Sequence, residues 1–206
     1  MMSKRNPLQS AQYLLSVHQP SQLPVDSLCE VAVVGRSNAG KSSALNAICA
    51  QGKLARTSKT PGRTQQLVYF QVAPQRYLVD LPGYGYAEVP GALRDHWRGL
   101  IDGYLRQRQS LRALMIVMDI RHPLRPFDQM MLEYAGPRGL AVHVLLTKAD
   151  KLPRGQQAKA LQAVSKELEP TVGVQLFSAS SKLGVEQARD VLANWLELNA
   201  DTAPAT

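Results

Sequence analysis

Apolar and polar positions along this 206-residue chain fall into short blocks whose period changes from one block to the next. Residues 30–34 form an apolar, valine-rich run ended by Gly35, the pattern of a strand covered on both faces. Residues 114–118 and 142–146 repeat it, and 174–177 is a shorter version. Residues 66–72 and 76–81 flank 73–75 and predict a hairpin. Between these runs the period turns helical. Leu93, Trp97, Leu100, Ile101, Tyr104 and Leu105 share one face of a helix predicted over 94–107. Further helices are expected over 41–50, 127–134, 155–168 and 185–198, and a short one over 10–17, followed by a proline-bearing linker over 19–26. Residues 51–65 and 82–90 carry glycine and proline without an apolar period and read as loops.

This alternation predicts an α/β fold of three layers, a mostly parallel sheet of about six strands flanked by helices. The pattern divides into a helix and linker over 1–26, one domain over 27–198 and a small polar tail over 199–206. The composition, 45% hydrophobic and 19% charged, is that of a globular protein. No run of eighteen apolar residues occurs, so no membrane span is expected. Lys4 and Arg5 are not followed by an apolar region and a small-residue cleavage site, which places the protein in the cytoplasm. Cys29 and Cys49 stand at a strand start and a helix end, where a thiol acts as a small hydrophobe. His18, His96, His122 and His143 lack zinc-binding spacing, so no zinc is expected.

The chemistry begins at Gly35-Arg36-Ser37-Asn38-Ala39-Gly40-Lys41-Ser42, which fits G-x-x-x-x-G-K-[ST] between a predicted strand and a predicted helix. Such a loop turns consecutive N–H groups and a helix N-terminus toward phosphate oxygens. Lys41 is expected to reach the β- and γ-phosphates, and the Ser42 hydroxyl to bind Mg2+. Asp80-Leu81-Pro82-Gly83 closes the second hairpin strand. There Asp80 would hold Mg2+ through water and the Gly83 N–H would meet the γ-phosphate, making the loop beyond it a sensor of nucleotide state.

Thr147-Lys148-Ala149-Asp150 follows another predicted strand and matches an N-K-x-D guanine box with threonine in place of asparagine. A carboxylate at Asp150 can accept from guanine N1–H and its 2-amino group, whereas adenine would leave it unpaired. Phe177 ends the last predicted strand, and Ser178-Ala179-Ser180 after it fits a loop whose backbone N–H would meet guanine O6. Four motifs in this order at strand ends predict a P-loop NTPase fold and a GTPase.

With these motifs in place, the chain resembles the bacterial EngB (YihA/YsxC-type) GTP-binding proteins over roughly residues 22–198. The resemblance rests on the loop through Ser43, on Thr60-Pro61-Gly62-Arg63-Thr64-Gln65, on Asp80 to Tyr86 and on Leu146 to Leu152. That family also uses threonine before the guanine-box lysine. Thr57, Thr60 and Thr64 are all candidates for a switch threonine. The resemblance implies Thr64, completing the magnesium shell beside Ser42 and taking part in hydrolysis with Lys41 and Gly83. It places Gly62, Arg63, Gln65 and Gln66 beside the nucleotide. It also implies a role in assembling the large ribosomal subunit, with ribosomal RNA or a subunit precursor as partner, and a link to cell division and septation. A monomer is expected. Tyr84 stands where many GTPases carry a water-orienting glutamine, so hydrolysis is expected to be slow. A K+ ion beside Asn38 could supply charge in its place. A nucleotide-gated RNA-binding module with negligible hydrolysis, or another translation-linked GTPase, is the competing reading.

Charge sharpens the choice of partner. The formal net charge is +8, and the segment 31–79 has no Asp or Glu and carries +7 of it. A surface of this kind favours a polyanion. Lys53, Arg56, Lys59 and Arg63 all fall in the 51–65 loop. Either they neutralise the phosphates of GTP and coat a loop, or they are offered to RNA when Thr64 is drawn onto magnesium.

Overall fold

Strands β1 (Gln12–Val17), β2 (Cys29–Gly35), β3 (Leu67–Ala73), β4 (Arg76–Asp80), β5 (Leu111–Asp119), β6 (Ala141–Thr147) and β7 (Gly173–Leu176) form one sheet. Their order across it is β1-β3-β4-β2-β5-β6-β7. The structure is a computed structural model and describes residues 6–55, 66–83 and 91–198, the side chains of 91–98 excepted. Strand pairs β1–β3 and β3–β4 are antiparallel; β4–β2, β2–β5, β5–β6 and β6–β7 are parallel. Helices α1 (Lys41–Ile48), α2 (Gly91–Gln107), α3 (Pro126–Ala135), α4 (Arg154–Glu167) and α5 (Val185–Trp195) cover both faces.

The continuous apolar runs divide between two cores by the period-two alternation of a strand. On one face Val31, Val33, Met115, Val117 and Leu145 pack with Leu45 and Ile48 of α1 and Ala188 and Leu192 of α5. On the other, Ala32, Val34, Leu114, Ile116, Met118 and Val144 meet Leu100, Ile101 and Tyr104 of α2, Met131 of α3 and Val164 of α4. A strand buried on both sides needs apolar residues at every position, which is why β2 and β5 read as runs.

The amino-terminal segment departs from expectation. Residues 10–17 do not form a helix; Gln12–Val17 is an edge strand antiparallel to β3, so the sheet has seven strands among the described residues, not six. Six residues with Tyr, two Leu and Val satisfy either period, and the open edge of β3 decides between them by supplying backbone partners. Gln51 secures the approach to the strand, its side-chain amide donating to the Gln9 and Ala11 carbonyls at 2.8 and 2.7 Å.

The linker is tied down as well, through a fully buried carboxylate. Glu30 of β2 accepts from Arg108 Nε and Nη2 at 3.0 and 2.6 Å, from Ser110 Oγ at 3.0 Å, and from the Tyr104 and Tyr69 hydroxyls at 3.0 and 3.3 Å. Arg108 also donates to the carbonyls of Pro24 and Val25, at 2.7 and 3.2 Å. One buried ion pair thus joins the linker, β2, β3, α2 and the start of β5. His143 is a strand residue in the core, 2.9 Å from Gln175 Oε1. The two thiols are buried and unlinked, and burial pushes them up to about 11 at Cys29 and about 12 at Cys49.

Candidate nucleotide-binding site

Register places the four motifs side by side. Val33 pairs with Asp80, Gly35 with Val117, Asp119 with Thr147, and Leu146 with Leu176, so the chain leaves β2, β4, β5, β6 and β7 at one edge of the sheet. Ligands of open α/β sheets bind at this edge.

The loop after β2 turns through a left-handed Gly40 (φ 96°) into the first residue of α1, Lys41. Only glycine adopts that angle at little cost, and the turn exposes the α1 N-terminus. Asn38 is also left-handed, at φ 61°. Lys41 Nζ contacts Asp80 Oδ1, with side chains 11% and 13% exposed. Burial pushes the Asp80 carboxyl above its usual value, and the Lys41 ammonium pulls it back only in part. Ser42 sits one residue on, half-buried. Its hydroxyl and the Asp80 carboxylate are hard oxygen donors, a set that suits magnesium. Leu81 and Pro82 are buried, and Leu81 N–H donates to Val33 O at 3.0 Å. Gly83 lies against the phosphate loop so closely that a Cβ would meet Ser37 N at 3.1 Å. A side chain at 83 would push the two loops apart.

The guanine-box residues are fastened to the phosphate loop. The Thr147 hydroxyl lies 2.5 Å from Ala39 O and 2.9 Å from Met118 O, donating its single proton to one or the other. Lys148 Nζ donates to Asn38 O at 2.6 Å. Threonine therefore does reach the loop backbone, as the missing asparagine would. Asp150 is exposed at the residue level, and its carboxylate accepts from Ser178 Oγ at 2.7 Å, with Lys151 Nζ at 3.4 Å. The Ser178 hydroxyl, followed by Lys151, holds that carboxyl below its ordinary range. It is ionised at neutral pH and can only accept, as recognition of guanine requires. The Asp150 side chain is 21% exposed, so a bound purine would complete the desolvation that makes a mismatch costly.

Two residues act at one remove from where the sequence put them. Phe177 is a core side chain; its carbonyl accepts from Ala149 N–H at 3.1 Å and its N–H donates to Leu146 O at 2.9 Å, joining the two base-side loops. The Ser178 N–H is taken by Leu183 O at 2.9 Å, which leaves the Ala179 and Ser180 amides as the candidates for guanine O6. Gln66 is half-buried at the entry to β3. Gly62, Arg63, Thr64, Gln65 and Tyr84, with the alternatives Thr57 and Thr60, lie outside the described residues.

One residue of the site escaped the sequence reading. Asp119, the last residue of β5, accepts from Lys148 Nζ at 3.0 Å and from Arg121 at 2.7 and 2.9 Å. Burial would raise its carboxyl, but the hydrogen bonds from Arg121 and Lys148 outweigh it and hold it far below the usual range. The signal was present: a carboxylate at the carboxyl end of a core strand, between two strands already carrying motifs.

A family profile described as "50S ribosome-binding GTPase" matches residues 30–148. Proteins named "Probable GTP-binding protein EngB" from Xylella fastidiosa (strain Temecula1) and Xanthomonas euvesicatoria are 60% and 57% identical, covering 94% and 96% of this chain and 97% and 98% of their own lengths. The chain belongs to the EngB family of GTP-binding proteins. It binds GTP and, with the GTPase domain of that family, hydrolyses it. The fold agrees with the crystal structure of a probable GTP-binding protein engB, at TM-score 0.66 and 17% identity, over 82% of this chain and 100% of that one. A tyrosine-to-alanine variant of Aquifex aeolicus Era bound to GDP.AlF4- is similar at TM-score 0.63 and 17% identity, covering 82% of this chain and 57% of that one.

Asparagine at position 150 would keep the Ser178 bond but turn one acceptor into a donor. Asp150→Asn is expected to weaken GTP binding on the order of a hundredfold and to gain xanthosine nucleotides, whose 2-oxo group needs a donor. Competition between GTP and XTP for a fluorescent nucleotide reads both; equal GTP affinity in variant and parent would remove Asp150 from the guanine box.

Proposed function

We propose that this EngB-family GTPase is a slow magnesium-dependent switch acting in assembly of the large ribosomal subunit in the cytoplasm, and through it in cell division and septation. The observation that carries the switch is the direct fastening of the guanine box to the phosphate loop, Thr147 to Ala39 and Lys148 to Asn38. A base and its phosphates read by one connected unit make affinity depend on the whole guanine nucleotide. In this reading the amides of residues 36–40 and the Lys41 ammonium cradle the phosphates, and the Gly83 N–H meets the γ-phosphate. Ser42, Asp80 and Thr64 would hold magnesium, which would supply positive charge against the negative charge of the phosphates. Lys41 leaves Asp80 for the phosphates as the nucleotide seats. Tyr84 after Gly83 supports slow turnover, and Asn38 supports a K+ ion as the compensating charge.

The ribosomal assignment draws support from the family description and from the acid-free segment 31–79. Lys53 is exposed, and Arg56 and Lys59 follow it in the sequence. The test is fractionation of ribosomal particles on gradients with GDP or a non-hydrolysable GTP analogue. The protein is expected to travel with large-subunit precursors only in the analogue. Neutralising Lys53, Arg56 and Lys59 together should lower the salt slope of that binding by up to about three units. Migration independent of nucleotide would overturn the switch, and an unchanged slope would return the three cations to loop decoration.

A further inference from the structure

A cavity of about 170 Å³ lies beside the phosphate loop, walled by residues 36–39, Asp119, Arg121 and Asp128. Lys41, Asp80 and Asp150 take no part in it. Asp128, in the first turn of α3, is 1% exposed. Its Oδ2 accepts from Arg125 N–H at 3.0 Å, closing the helix end, but its buried Oδ1 has no hydrogen-bond partner. A buried carboxylate oxygen left in this state is costly and calls for a donor from the cavity that Asp128 lines.

The cations around it narrow the choice. Arg121 and Lys148 are both committed to Asp119. The Arg125 guanidinium lies 3.4 Å from His122 Nδ1. Arg36 remains, a long side chain on the first residue after β2 that lines the same cavity. Its guanidinium is near enough to lower the Asp128 carboxyl, yet stops short of bonding Oδ1. The far half of the phosphate loop is held from outside through Asn38 and Ala39.

We propose that Asp128 is a positioning residue for the phosphate loop, its Oδ1 receiving the Arg36 guanidinium when nucleotide seats and fixing the loop's first half against α3. The strand-side and base-side anchors then bracket the whole loop, so that its amides hold their aim at the phosphates. Arg36 contributes to nucleotide binding through this contact as well as through its backbone. Burial pushes the Asp128 carboxyl up to about 6, with the Arg125 amide, then Arg36, then the Arg125 guanidinium opposing it, so the group is ionised at neutral pH and gains from a cation.

The inference rests on residues 35–42 holding the phosphates, which Lys41→Ala tests separately. Release of a fluorescent GDP is measured for the parent, Asp128→Asn, Arg36→Met and the double variant, with melting temperatures taken alongside. Asparagine preserves the oxygen that caps α3. Each single substitution is expected to speed release about tenfold, and the double variant no further than either, the non-additivity of a direct pair. Arg36→Lys should restore part of the parent's rate. Release within twofold of the parent in Asp128→Asn, or effects that multiply in the double variant, would overturn the proposal. So would a lowered melting temperature without that non-additivity, because Asp128 would then serve only the helix.

Discussion

Lys41→Ala is expected to abolish measurable binding of GDP and GTP alike, a loss of at least about a hundredfold from charge-assisted bonds worth up to roughly 3 kcal/mol. In the proposed reading the lysine meets the β-phosphate, which GDP and GTP share, so the two affinities should fall together. Titration with fluorescent GDP and GTP analogues reads this, and loss of GTP binding alone would place Lys41 at the γ-phosphate only. The same variant should change the pH dependence of folding. Asp80 sits above its ordinary 3.8 because burial disfavours its charge and Lys41 offsets only part of that. Without Lys41 the carboxyl rises further. A carboxyl raised in the folded state favours folding most below its unfolded value, and loses that advantage as pH climbs through the folded one. The stability deficit of nucleotide-free Lys41→Ala against the parent should therefore be wider near pH 7.5 than near pH 5 in urea denaturation. Equal deficits would mean that the Lys41–Asp80 contact does not couple to folding.

The largest loss of stability is expected at the opposite edge of the sheet. Glu30→Ala takes the buried carboxylate from the Arg108 guanidinium, leaving it the half-exposed Asp26 at 3.3 Å and two carbonyls, and removes the acceptor of the Tyr69 and Tyr104 hydroxyls. Breaking one side of a buried ion pair costs roughly 3–5 kcal/mol, a large share of the ~5–15 kcal/mol that holds an ordinary domain. Because Arg108 carries the Pro24 and Val25 carbonyls, the linker should loosen with it. Replacing both partners, as Glu30→Leu with Arg108→Met, should recover much of the loss. The preference for guanine over adenine nucleotides should survive, since the pair lies at the start of β2 and the motifs at its end. A loss below about 1 kcal/mol in Glu30→Ala would show that water replaces the carboxylate at little cost.

Residue order alone determined most of the architecture and the chemistry at its edge. Runs such as 30–34 and 114–118 could only be strands covered on both faces, and motifs that follow such runs had to share the edge where parallel strands end. The phosphate loop, Asp80 and the guanine box were legible because each is a contiguous string whose function lies in its own backbone and spacing. The sheet's tertiary pairing decided the rest. Residues 12–17 carry a pattern open to both periods, and became a strand because β3 offered an unpaired edge. The roles of Asp119, Asp128, Glu30 and Arg108 depend on partners 29 to 92 positions away in sequence. Asp119 meets Lys148, Asp128 faces Arg36, and Glu30 meets Arg108 only once the sheet is assembled. A lone carboxylate in a sequence has the same chemistry whether it ends in water or in a core. Burial and the cation folded beside it determine whether it positions a loop, holds a lysine or ties a linker to the sheet.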